Sequence, residues 1–454
     1  MSRISCNMGR LRSRFQRATL LFEKKTFRTV ALPLLLAVVM GTGMWLYVQL
    51  VLIPYQKTQE SMQQSPRGNL SDLYPRWLGT RELLLHKRDP YGADITREIQ
   101  VGYYGRPLDA TRPNDPKDQQ GFAYPIYVVL MLAPTIALPF AIVNYAFFWL
   151  LAVSTAAAVP LWLRTLGWRC SKTALLIWIV LGLSCFPAIQ ALKLRQLMLL
   201  VAVLLAGSMT AVVRGRFVLG GVLLALATIK PQLVFLLIVW LCIWVVGNWP
   251  ERQRLVWSFA VTMAILVCAG EFLLPGWMRE FRLAMKDYYR YTGGATSLLD
   301  LLLSPVLGWA TSVALVVMVL VFAWKHRRVR QEAFAFQWLL CFTMATTLLV
   351  IPSFAPYNQL LLLPAVMMAV RARHQLWAKS GFSRFFYSLT AFSISWPFFA
   401  AACLVIALAF LPSATVQKAW GLAFYASFAI PITIYALLLV SRDVMTDQIR
   451  TRSE

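Results

Sequence analysis

The chain has 454 residues, 59% of them hydrophobic and 14% charged, with a mean hydropathy of +0.61 and a formal net charge of +25. Length alone allows two or three soluble domains, but uncharged apolar runs such as 31–53, 385–411 and 421–440 exclude them, each being long enough to cross a bilayer core. The basic balance does not point to nucleic acid, because the bases sit in short loops between apolar runs, where they orient a membrane chain.

In chain order, residues 1–30 form a basic cytoplasmic N-terminus, with eight Arg/Lys and one acid, Glu23, before Ala31. The apolar run that follows is too long for a signal peptide and has no small-residue cleavage site, so it is expected to stay as a helix. That places loop 54–121 outside. The loop holds ten Arg/Lys and nine of the chain's 19 acids, which marks it as the chemically active segment. Within it, Ser71 or Asp72 is placed to cap a short helix that carries Pro75 in its first turn. Leu73, Trp77 and Leu84 share one face, as in an interfacial helix with its apolar side on lipid. Two roles for Asp72 stay open on residue chemistry: a helix cap, or a carboxylate at headgroup depth that takes a proton from an attacking hydroxyl. Glu82 reads as an ion-pair partner and Asp89 of "DPYG" as a turn former.

Segment 122–163 is expected to hold one full crossing and a broken or re-entrant piece, since two crossings would move the C-terminus outside. Further helices are expected near 173–190, 196–213, 217–230, 232–248, 255–275, 304–324, 334–351, 358–371, 385–411 and 420–440. The expectation is an all-α polytopic membrane protein of about 12 transmembrane helices, give or take two, with short interfacial helices in the first outer loop. The transmembrane domain spans 31–440 and includes a second outer loop at 276–303; a cytoplasmic tail occupies 441–454. The short turn 352–358 belongs to the same outer face. The seven cysteines avoid loop 54–121 and have no metal-ligand spacing, so neither a disulfide framework nor a metal site is expected.

Lys230 interrupts an otherwise apolar stretch and is followed by Pro231. A lysine there either snorkels to a loop or faces a polar cavity as a cation aimed at a phosphate. Lys193, Arg195 and Gln196 lie at the outer end of their own helix pair and are placed to join it. "DYYRY" at 287–291 and Tyr357–Asn358–Gln359 bring aromatic and amide groups to the same face, suited either to a membrane interface or to sugar. The three histidines do not cluster, and no P-loop, nucleophile-elbow or HExxH stretch occurs.

The order of these pieces resembles the bacterial polyprenol-phosphate-mannose-dependent mannosyltransferases, glycosyltransferase family 87, with a GT-C-like fold. The likeness rests on Asp72–Leu73–Tyr74, "GTRELLLHKRDPYG", "FAYPIYVVLMLAPTIALP", "LKLRQLMLL" and "RGRFVLGGVLLALATIKPQLVFLL", covering most of 31–365. Ile126 stands where the family's second proline is usual, and of the family's "GQxN" only Gln196 remains.

The resemblance implies that Asp72 is a general base for an inverting hexosyl transfer, with mannose the sugar, on the extracytoplasmic side of the cell membrane. It implies a polyprenyl-phosphate-sugar donor and a glycolipid or envelope glycan acceptor. Lys230 and Arg195 would meet the leaving phosphate, and Gln196, Arg76, Tyr91, Tyr357 and Asn358 complete the substrate-binding set. Neither metal nor other cofactor is called for, and the partners are lipid substrates and membrane lipid, not nucleic acid. Two rivals remain: a transporter or flippase of a lipid-linked sugar or other solute, and a non-catalytic partner in envelope assembly. No internal repeat of the kind common in transporters is visible.

Overall fold

The computed structural model describes residues 31–62, 71–109, 111–116, 118–291, 296–352 and 354–442. The basic N-terminus 1–30 and the tail from 443 lie outside the described residues. Every regular element among those described is helical, as lipid requires of a chain without a closed barrel.

The first helix, α1, is Leu32–Met62. Two short helices follow in the polar loop, α2 (Tyr74–His86) and α3 (Ala93–Tyr104). The segment 122–163 opens with a five-residue helix, α4 (Val128–Leu132), and a 3-10 turn, then becomes one long helix, α5 (Phe140–Thr165). Next come α6 (Lys172–Ser184) and α7 (Phe186–Lys193), where a single helix was expected over 173–190; they meet at a 55° bend. Pro187 sits at the start of α7 and cannot donate to the preceding turn, so the helix restarts there. Then follow α8 (Met198–Val213), α9 (Phe217–Ile229), α10 (Pro231–Val246) and α11 (Trp249–Leu273). The second polar segment contains α12 (Trp277–Tyr291) and α13 (Leu298–Leu302). The chain continues through α14 (Pro305–Lys325) and α15 (Phe334–Val350). The helix expected at 358–371 begins as a 3-10 turn, Pro356–Leu362, before α16 (Leu363–Arg371). After α17 (Arg373–Lys379) come α18 (Gly381–Ala407) and α19 (Ser413–Val440).

Six helices are long and apolar enough to cross a membrane, and seven if the bent pair α6–α7 counts as one span. This makes the chain a multi-pass membrane protein. The apolar runs behind the expectation of about 12 crossings include α8, α9, α10 and α15, which are apolar but short. The 16 residues of α8 rise about 24 Å, against a hydrocarbon core of about 30 Å. Of these, α8 and α15 are buried along most of their length, whereas α9 and α10 keep an exposed apolar face at Val218 and Phe235. α9 closes on α11 at Gly221, where an added Cβ would run into the Leu255 carbonyl oxygen.

The helices of the first polar loop are welded to this bundle. α2 and its N-cap bury Leu73, Trp77 and Leu83, and Trp77 packs at a tilt against Tyr74 and against Phe140 at the head of α5, the Trp77–Phe140 centroids 5.2 Å apart. Its apolar face therefore turns into protein and not toward lipid, a correction to the interfacial reading. α3 crosses α2 at Gly102, where a Cβ would overlap the Tyr74 hydroxyl.

Candidate active site

Asp72 precedes α2 but does not cap it. The N-cap is Leu73, and no side chain accepts from the first turn. The backbone N–H of Asp72 donates instead to the Leu194 carbonyl at 2.8 Å, which pins the residue beside the turn leaving α7. In that turn Arg195 adopts a left-handed φ of 53°. Its guanidinium bonds the Leu192 carbonyl at 2.6 Å and the Asn144 carbonyl at 3.0 Å, over the ring of Phe148. Ser71 donates to the Asn144 side chain at 2.9 Å. The turn so held presents Gln196, whose Nε2 donates to Asp72 Oδ2.

Gln196 is buried, and its Oε1 accepts from Lys230 Nζ at 2.5 Å. Lys230 lies where α9 ends in a 3-10 turn and Pro231 starts α10. Tyr127 steadies the break by donating to the Thr228 carbonyl at 2.9 Å. The Lys230 ammonium faces the rings of Tyr357 at 5.2 Å and Tyr124 at 5.7 Å, so aromatic faces replace water around it. Arg76, one turn into α2, donates to the Asp72 carbonyl at 2.8 Å and lies 4.6 Å from the centroid of Tyr124.

These side chains enclose a cavity of about 140 Å³. Asp72, Arg76, Gln196, Lys230, Tyr357 and Asn358 all line it, so six of the eight residues chosen from sequence meet in one place. Arg195 does not line it; its guanidinium is spent on the turn that positions Gln196. Tyr91 does not line it either. Its hydroxyl donates to the Tyr124 carbonyl at 2.6 Å and so supports the wall from behind. Lys193 points away, to Gln56 at 3.0 Å. Glu82 bonds His86 at 2.9 Å and Arg88 at 3.0 Å, and the Asp89 carboxylate accepts from the Tyr91 N–H at 2.9 Å, the ion pair and turn expected of them.

Other lining groups were not chosen as site residues from the sequence, among them Asp118, Tyr124 and Tyr288. Asp118 is the last acid of loop 54–121 and stands four residues before "FAYP", its one visible signal. Tyr124 belongs to that motif but was not singled out. Tyr288 of "DYYRY" reaches the cavity from α12, together with Met285 and Tyr289.

Burial pushes the Asp72 carboxyl above its ordinary value. Arg76 opposes this, Asp118 adds to it, and Lys230 and the Gln196 hydrogen bond oppose it in turn. Burial raises Asp118 as well. One buried amide oxygen lines the cavity without a partner among the described residues, Asn358 Oδ1, a cost offset when a ligand donor arrives. The constellation offers a proton acceptor, two cations and amide groups around one small space.

The family model of glycosyltransferase family 87 matches residues 122–352, just over half of the chain. The match includes Tyr124, Gln196 and Lys230, whereas Asp72 and Arg76 precede it and Tyr357 follows it. No curated protein and no solved structure matches the chain.

Proposed function

The chain belongs to glycosyltransferase family 87 and is a membrane glycosyltransferase, and we propose that it moves a hexose, mannose by resemblance, from a polyprenyl-phosphate sugar to a glycolipid or envelope glycan at the extracytoplasmic face. The observation that carries this reading is the continuous chain Asp72–Gln196–Lys230 at one cavity. A base and a phosphate cation are the two groups an inverting transfer from a lipid monophosphate needs.

In this mechanism the acceptor hydroxyl attacks the anomeric carbon from the side of Asp72. Its proton passes to an Asp72 carboxylate oxygen as the new C–O bond forms. The bond between the anomeric carbon and the phosphate oxygen breaks on the opposite side, and the electron pair leaves with the phosphate. Lys230 and Arg76 meet the charge that develops there, in surroundings where desolvation strengthens the attraction. A single in-line displacement inverts the centre. Gln196 holds base and cation at fixed separation, so neither is reorganised during the step.

Support for a lipid-linked donor comes from a second space of about 200 Å³ on the other side of Lys230. Pro125, Ile229, Pro231 and Phe281 give it apolar walls. A phosphate at Lys230 would leave its isoprenoid chain against them.

The transporter reading has less support. The carboxylates gather in the outer loop and not midway along the spans, where carriers place theirs. Purified protein in lipid vesicles, given a radiolabelled polyprenyl-phosphate hexose and acceptor lipid, decides between them. Label in the acceptor supports transfer; label accumulating only as unchanged donor across the bilayer would refute it.

A further inference from the structure

The cavity at Asp72 has room for reacting groups but not for a whole glycan. A larger one opens beside it, about 780 Å³, within the range of about 300–1,000 Å³ usual for small-molecule sites. We infer that this second cavity binds the acceptor as an uncharged, hydroxyl-rich sugar chain and delivers its end hydroxyl to Asp72. The inference rests on the transferase reading above and adds to it the acceptor's place and chemical class.

The two cavities share Gly121 and Ala123 as lining residues. The sill between them is therefore backbone and one methyl group, low enough for a sugar to lie across. On one side the wall is α3, with Thr96, Arg97 and Gln100 along a single face. On the other it is α12, which turns Asp287 and Arg290 to this cavity while Met285, Tyr288 and Tyr289 line the first. One helix thus borders both spaces.

The described residues of the loop over the top bond to one another and to α3. Arg106 forms a two-pronged ion pair with Asp115, which also accepts from the Asp109 N–H at 2.8 Å. Gln100 clamps both ends of the loop, accepting from the Leu108 N–H at 3.0 Å and donating to the Gln119 carbonyl at 3.2 Å. Such bonding lowers the entropy lost on binding.

The lining chemistry identifies the ligand. Each lining carboxylate sits against an arginine: Asp115 on Arg106, and Asp109 on Arg112 and Asp287 on Arg290 at 3.6 Å each. Paired in this way they present alternating acceptors and donors, which suit hydroxyl groups, without the concentration of positive charge that a phosphate demands. Pro107, Pro113 and Phe122 supply flat apolar patches for the C–H faces of sugar rings.

The test uses the full chain in lipid nanodiscs and two probes: an uncharged methyl-capped hexose trisaccharide, and the same trisaccharide carrying one phosphate. Binding is read by saturation-transfer NMR, with affinity on the order of millimolar expected for a few hydroxyl contacts. Thr96→Trp, which narrows the second cavity, should weaken binding of the neutral probe by about tenfold or more, while Lys230→Met should leave it intact. The melting temperature of Thr96→Trp is expected to match that of the parent. In transfer assays Thr96→Trp and Arg290→Ala should raise acceptor KM by about tenfold, the scale of one lost charge-assisted hydrogen bond, with donor KM unchanged. The inference is overturned if the parent protein fails to bind the neutral trisaccharide or prefers the phosphorylated one. It is equally overturned if Lys230→Met removes binding and Thr96→Trp does not. Absence of transfer from any donor would sink the transferase reading alone, since the binding result decides the cavity separately.

Discussion

Asp72 and Lys230, 158 positions apart in the chain, are joined through a single amide. Gln196 donates to the carboxylate and accepts from the ammonium at 2.5 Å. An amide is the side chain suited to this position, because it can donate and accept at once without carrying charge. A carboxylate there would neutralise the lysine, and an apolar group would leave both ends without a partner.

Asp72→Asn keeps shape and the α2 start but cannot take a proton. Turnover is expected to fall by about 100-fold or more, the scale of general-base catalysis, with expression and melting temperature unchanged. Because Asp72 caps no helix, a loss of stability in place of activity would contradict the structure. Full turnover by a folded Asp72→Asn would remove it as the base.

Gln196→Leu strands both partners. The penalty for a buried polar group left unmade, about 1–3 kcal/mol, is expected to appear as a fall in kcat/KM of about tenfold to a hundredfold. Arg195→Ala offers the contrast. Its guanidinium holds the turn from outside the cavity, so thermal stability should drop while donor KM stays nearer the parent value. If Arg195→Ala raised donor KM as much as Lys230→Met does, the arginine would belong to the donor site after all.

Lys230→Met is expected to raise donor KM strongly, and Lys230→Arg to retain part of the donor use, since the charge remains but the fit between Tyr124 and Tyr357 is altered. Unchanged dependence on donor concentration in Lys230→Met would reduce the lysine to a structural role.

The pH profile follows from the electrostatics of Asp72. The base must be ionised, and burial raises its carboxyl above the ordinary value. Activity should therefore climb with pH along an acid limb lying above the usual carboxylate range. Arg76, Lys230 and the Gln196 bond all favour the ionised form, so removing any of them moves the limb to higher pH. Measured kcat/KM against pH for the parent and Gln196→Leu checks this; a shift to lower pH in the variant would be the wrong sign.

Sidedness is tested by single cysteines at the exposed positions Gln119, Arg279 and Arg328. An impermeant thiol reagent applied to intact cells should label the first two and spare the third. The reverse pattern would place the Asp72 cavity on the cytoplasmic side.

The sequence by itself determined the membrane class and the helical architecture, and it pointed to the polar loop from which the candidate base Asp72 comes. Uncharged runs as long as 31–53 have no soluble solution, and nine of the 19 acids gathered in one loop of an apolar chain stand out by composition, although most of them serve as ion-pair and turn groups. Lys230 was legible for the same reason, as a charge set between two apolar half-runs. Tertiary structure alone decided the rest. The break between α6 and α7 and the inward turn of α2's apolar face depend on neighbours, since Leu73 and Trp77 would satisfy lipid or the head of α5 equally well by composition. The separation of Arg195 from Gln196 was likewise hidden: adjacent residues in a left-handed turn point apart, and only the Asn144 and Leu194 backbone contacts reveal which one faces Asp72. Asp118 and Tyr288 joined the site because α3 and α12 fold back over it. Contacts of that kind link segments 170 positions apart, and no local periodicity records them.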